Sequence, residues 1–141
     1  MHNIISQYPF LKEHFVEAVD GKLIELDKLP FLFNQNACLN KYGRELNRGE
    51  IGCTLSHRKC LSKLVNSEEL YALVLEDDIS ISGDMSFIES QQVQRILTMN
   101  KPCVVLLSAD YWHGSSITRV YDASGAYAYL INRKGAELRN N

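Results

Sequence analysis

Six apolar residues in a row, Leu70-Tyr71-Ala72-Leu73-Val74-Leu75, run straight into three carboxylates, Glu76-Asp77-Asp78. A short uninterrupted apolar run predicts a strand buried on both faces of a mostly parallel sheet. Ligands of open α/β sheets bind beyond the carboxyl ends of such strands. Three adjacent carboxylates repel one another, and a bound cation relieves that repulsion. Oxygen donors suit a hard divalent ion, Mg²⁺ or Mn²⁺, carrying a phosphorylated substrate. If the backbone stays extended beyond Leu75, Glu76 and Asp78 share a face and form the metal-ligating pair, while Asp77 points the other way. A turn after Leu75 would change that assignment. The competing reading is an acidic triplet that only solvates a loop.

Around this run, strand and helix signals alternate. Phe15 to Val19 reads as a short strand closed by the Asp20-Gly21 turn. Residues 22–46 carry Pro30, Asn34, Asn36 and Asn40 and read as irregular. Asn47 followed by Glu50 is a capping box, opening a helix from about Arg48 to Val65 with Ile51, Leu55, Leu61, Leu64 and Val65 as its apolar stripe. Gly49 and Gly52 cost helix propensity there and allow a backbone or a ligand to come close. Ser86 is expected to cap a helix over 87–97, and Cys103 to Leu107 to form a second buried strand. Ile117 to Tyr121 reads as a weaker strand and Ala126 to Ile131 as a better one. Asn132 is expected to cap a last helix. The alternation predicts an α/β sandwich in one domain, residues 1–141, with a right-handed crossover between the acidic loop and Cys103.

Composition narrows the function. A net charge of −2 offers no basic surface for nucleic acid, and a 45% hydrophobic share makes the chain globular rather than disordered. The mildly basic stretch of Arg44, Arg48, His57, Arg58 and Lys59 reads as a solvated helix face. Cys38, Cys53, Cys60 and Cys103 fit no zinc-finger spacing and read as reduced, mostly buried thiols of a cytoplasmic protein. No secretory leader and no run of transmembrane length is visible, so membrane contact would be peripheral, at the inner face.

Gly49-Glu50-Ile51-Gly52-Cys53-Thr54-Leu55-Ser56-His57 and Leu73-Val74-Leu75-Glu76-Asp77-Asp78 together resemble glycosyltransferase family 25. That family holds the bacterial lipooligosaccharide galactosyltransferase-like enzymes, with the animal collagen galactosyltransferases as distant relatives. Ala18-Val19-Asp20-Gly21 is similar to the family's AVDG segment, and Gly125 to Ile131 followed by Gly135-Ala136 to a later one. All four occur in order, covering about residue 10 to 138. The resemblance implies a GT-A-like fold, a UDP-sugar donor (galactose as the usual sugar), a saccharide or lipooligosaccharide acceptor, and inversion at the anomeric carbon. It implies that the acidic motif is the metal site, and that the chain is shortened at both ends.

Under that reading Glu76 and Asp78 hold the ion, which neutralises the leaving diphosphate. A general base takes the acceptor proton, and Asp110 or Asp122, in loops after later strands, are the candidates. Asp77, Ser56, His57 and Trp112 are the candidate substrate contacts. Structural alternatives stand beside three of them: bonding backbone amides for Asp77, hydrogen-bonded packing for His57, and anchoring a loop for Trp112. Two other functions compete, a non-catalytic remnant and a metal-dependent phosphohydrolase. A bare sheet edge would favour a homodimer.

Overall fold

The computed structural model describes residues 7–81, 83–107 and 127–140. The chain divides into two compact units, Phe15–Cys60 on one hand, Met1–His14 with Leu61–Asn141 on the other.

In the Phe15–Cys60 unit the expected strand at 15–19 does not form. No ladder partner pairs with it among the described residues, and Phe15 is exposed. The N–H of Val19 donates instead to Ser56 Oγ at 2.8 Å. Asp20 does make the expected turn, its carboxylate accepting from Lys22 N–H as the cap of a 3₁₀ turn, Gly21–Leu23. The stretch read as irregular contains a second 3₁₀ turn, Leu26–Lys28, and two helices, α1 (Leu29–Leu32) and α2 (Gln35–Tyr42). Pro30 suits the first turn of α1, where its missing N–H costs nothing. Asn34 caps α2 by accepting from Ala37 N–H, and Gly43 ends it in the left-handed conformation, φ 67°.

Helix α3 covers Arg48–Val65. Its start is the predicted box: Asn47 Oδ1 accepts from Glu50 N–H at 2.9 Å, and Glu50 Oε2 accepts from Asn47 N–H at 2.8 Å. Ile51 is buried with Leu29 and Phe33, and Ile24, Leu32, Leu46 and Leu55 pack around them. The basic stretch is only partly a solvated face: Arg44 and Lys59 are exposed, while Arg48, His57 and Arg58 are half-buried. Arg48 donates to the carbonyls of Gly21 and Ile24, Arg58 to that of Leu32, and Lys59 to that of Glu17. Arg58 also lies over the Phe33 ring. These cations tie the preceding segment to the helix.

The larger unit holds a three-stranded sheet. Strands β1 (Tyr71–Leu75), β2 (Val104–Leu106) and β3 (Ala128–Asn132) stand in the order β1-β3-β2. Both pairings are antiparallel, Leu75 opposite Ala128 and Leu106 opposite Tyr129. The mostly parallel sheet is therefore corrected for the described strands. β1 and β2 do run the same way, but β3 lies between them in the opposite sense. An apolar run reports burial and not direction, and even the burial was misplaced: in β1 only Val74 is fully buried, whereas all five residues of β3 are.

Between β1 and β2, the helix expected over 87–97 is split. Asp84 caps a 3₁₀ segment, Met85–Glu89, through Ser86 N–H, and Ser90 caps α4 (Gln91–Leu97) through Val93 N–H. Met85, Ile88, Val93, Leu97 and Leu130 form the core, with Tyr8, Phe10 and Leu11 packed onto it. Burying such side chains supplies about 1.5–3 kcal/mol each. Asn132 ends β3 and opens α5 (Arg133–Asn140). It is 2% exposed, yet its Oδ1 accepts from Cys103 and Gly135 N–H while its Nδ2 donates to the carbonyls of Lys101 and Met99. Every polar atom of this buried amide is thus satisfied.

Candidate functional site

β1 ends at Leu75, and the acidic triplet follows with no intervening residue. Glu76 N–H donates to Tyr127 O at 3.0 Å, prolonging the β1–β3 ladder by one bond. The chain then turns at Asp77 and Asp78. Strict alternation of side chains therefore stops at Glu76, and the reasoning that paired Glu76 with Asp78 through an extended backbone does not apply. The triplet is instead a turn with a half-buried glutamate at its base and two exposed aspartates on it.

Two other chain ends meet this turn. Leu107, just after β2, donates its N–H to Ala128 O at 2.9 Å, and Tyr127 precedes β3. Leu107 and Tyr127 bound the segment 108–126, which carries Asp110, Tyr111, Trp112 and Asp122. Asp110, Trp112 and Asp122 lie outside the described residues, but the residues at which their segment leaves and rejoins the sheet are at the end where Glu76 sits.

Ser56 and His57 belong to α3 in the other unit. Ser56 donates to Gly52 O and accepts from Val19 N–H, both at 2.8 Å, so its hydroxyl serves the backbone. His57 is half-buried, one helical turn after Cys53. The cysteines differ from expectation in burial, Cys53 being exposed and the other three half-buried; none is in a disulfide. Burial pushes the Cys103 thiol pKa up.

An open groove of about 510 Å³ runs beside the start of α3, lined by Tyr42, Arg44, Leu46, Gly49, Glu50, Cys53 and Thr54. Arg44 grips Glu50 in a two-pronged pair, Nη1 to Oε2 at 2.9 Å and Nη2 to Oε1 at 2.6 Å. Hydrogen bonds from the Arg44 side chain, then from Asn47 N–H, hold the Glu50 carboxyl at about 2. The same pair raises Arg44. Asp84 is lowered by the hydroxyl and then the N–H of Ser86.

Two of the four sequence motifs meet in the smaller unit. A Cβ on Gly52 would come within 2.6 Å of Val19 O, and one on Gly21 would overlap the Arg48 carbonyl. The glycines of the AVDG segment and of the helix thus serve a backbone-to-backbone contact. A family profile described as "Glycosyltransferase family 25 (LPS biosynthesis protein)" matches residues 6–138, and the chain belongs to that family. It is 35% identical over 82 residues to a "Glycosyltransferase 25 family member" of Drosophila pseudoobscura pseudoobscura, covering 56% of this chain and 13% of the relative. It is 41% identical over 69 residues to the human "Procollagen galactosyltransferase 2", covering 45% of this chain and 11% of the relative. The aligned stretches thus span only about an eighth and a ninth of those relatives. No solved structure matches. Among the described residues, no helix is long and apolar enough to cross a membrane.

Proposed function

We propose that the chain takes part in moving a hexose, galactose first, from a UDP-sugar to a hydroxyl of a saccharide acceptor, with inversion. The observation that carries this reading is the acidic turn joined directly to β1, at the sheet end where β2 finishes and β3 begins. The name of the human relative supports galactose, and the family description supports an acceptor in lipopolysaccharide or lipooligosaccharide assembly. The reading puts the chain in the cytoplasm, in peripheral contact with the membrane that carries such an acceptor.

The donor set at the turn is all carboxylate oxygen, which fits Mn²⁺ or Mg²⁺. Glu76 and Asp78 would hold the ion. When bound, it supplies positive charge to a diphosphate leaving group. Asp77, beside them, faces the substrate. Asp110 or Asp122 accepts the proton of the attacking hydroxyl, and Trp112 offers an aromatic face to sugar or base. Ser56 acts first on the protein itself, through Val19, and His57 remains a candidate substrate contact.

Calorimetric titration of UDP and UDP-galactose, with and without Mn²⁺, tests the reading. Binding that requires the metal and is lost in Asp78→Ala is expected. Absence of metal-linked binding in the unaltered chain would overturn it in favour of a non-catalytic interaction domain. Release of UMP and galactose 1-phosphate from the donor without an acceptor would favour a phosphohydrolase.

A further inference from the structure

Cys53 and His57 stand one turn apart on α3, and Sγ of Cys53 and a ring nitrogen of His57 lie within 4.8 Å of one another. Tetrahedral zinc, at about 2.3 Å from sulfur and about 2.1 Å from nitrogen, sets such donors roughly 3.6 Å apart. A small side-chain rotation spans the difference. Cys53 is exposed and lines the groove of about 510 Å³, so a hydrated ion reaches the thiol without any opening of the fold. The frame is fixed: the hydroxyls of Thr54 and Ser56 bond back to the carbonyls of Glu50 and Gly52. The guanidinium that shares the groove, Arg44, already has its charge paired with Glu50. We propose that Cys53 and His57 form a binding site for a zinc-class divalent ion.

The donor chemistry selects the ion. A thiolate and an imidazole select zinc or cobalt, whereas carboxylates select magnesium or manganese. On binding, the Cys53 S–H bond breaks, its proton passes to solvent and Sγ bonds the ion. His57 donates the lone pair of a neutral ring nitrogen, and water fills the remaining positions. A bound ion would clip the helical turn between the Gly52 and Ser56 contacts and stabilise that segment.

The test is cobalt titration of the full chain under reducing conditions, followed by the thiolate-to-cobalt charge-transfer band. The band is expected to appear, to be displaced by equimolar Zn²⁺ and to resist excess Mg²⁺. Cys53→Ser should abolish it, His57→Gln should weaken binding by roughly tenfold or more, and Cys60→Ser should leave it intact. Circular dichroism confirms that each variant is folded, and protection of Cys53 from alkylation by Zn²⁺ gives a reading in the unaltered chain. Absence of the band and of protection overturns the proposal. So does a band that survives Cys53→Ser, ignores His57→Gln or vanishes in Cys60→Ser.

Discussion

Gly52 and Gly21 pack backbone against backbone: a Cβ placed on Gly52 would lie 2.8 Å from the Gly21 nitrogen. No side chain larger than hydrogen fits at that crossing. Gly52→Ala is expected to destabilise the fold by about 1–3 kcal/mol through overpacking. Gly49, three residues earlier, faces open space apart from Asn47 Oδ1 at 3.2 Å. Gly49→Ala should fall between neutral and about 1 kcal/mol stabilising, because alanine is the better helix former. Urea denaturation of the two variants separates close approach from helix propensity; equal effects would remove the crossing as the reason for Gly52.

Asn132 holds β2 to β3 and caps α5 with one side chain. Asn132→Ala leaves the N–H groups of Cys103 and Gly135 and the carbonyls of Met99 and Lys101 without this partner. A loss of roughly 2–4 kcal/mol follows from that desolvation. Thermal unfolding measures it, and hydrogen exchange at Cys103 and Gly135 should accelerate more than exchange in α3.

The Arg44–Glu50 pair makes part of the stability pH-dependent. Glu50 has its carboxyl lowered from 4.5 to about 2 in the fold. The contribution is present above the unfolded value, and it is lost as pH falls from about 4.5 through about 2. Glu50→Gln keeps a capping side chain but removes the charge. It should be less stable at pH 7 and lose less stability than the unaltered chain on acidification across that window. Both groups are exposed, so the difference shrinks in high salt.

At the acidic turn, Asp78→Asn and Glu76→Gln should each weaken Mn²⁺-dependent UDP binding by tenfold or more, as roughly 1.4 kcal/mol per decade would register in calorimetry. Thermal stability without metal should be unchanged for Asp78→Asn, since Asp78 is exposed. Equal UDP affinity across the three proteins would remove the turn from the site.

Where the sequence was legible, the signal was local. The Asn47–Glu50 box set the start of α3, Asp20-Gly21 was readable as a turn and Asn132 as a cap, because each bonds groups a few residues away. Strand direction was not readable, since β1 pairs with a strand far along the chain and nothing in either run encodes orientation. Between Asp84 and Ser90 three residues compete as caps, and only packing of Met85 and Ile88 decides among them. At the site, the position of the triplet was legible from the apolar run before it. The turn at Asp77–Asp78 was not, nor was the use of Ser56 to hold Val19, a contact across 37 residues. Cys53-x-x-x-His57 matches no zinc-finger spacing and becomes visible only as a pair on a helix.

Of the three described strands, the middle one is also the last to be made. Neither β1 nor β2 pairs with the other, and β1 waits about 60 residues for β3. Until residue 132 emerges, both lack that partner and are open to mispairing with other nascent chains. Protection by a chaperone during synthesis, or slow elongation after β2, would matter more for this architecture than for one whose strands pair in the order they are translated.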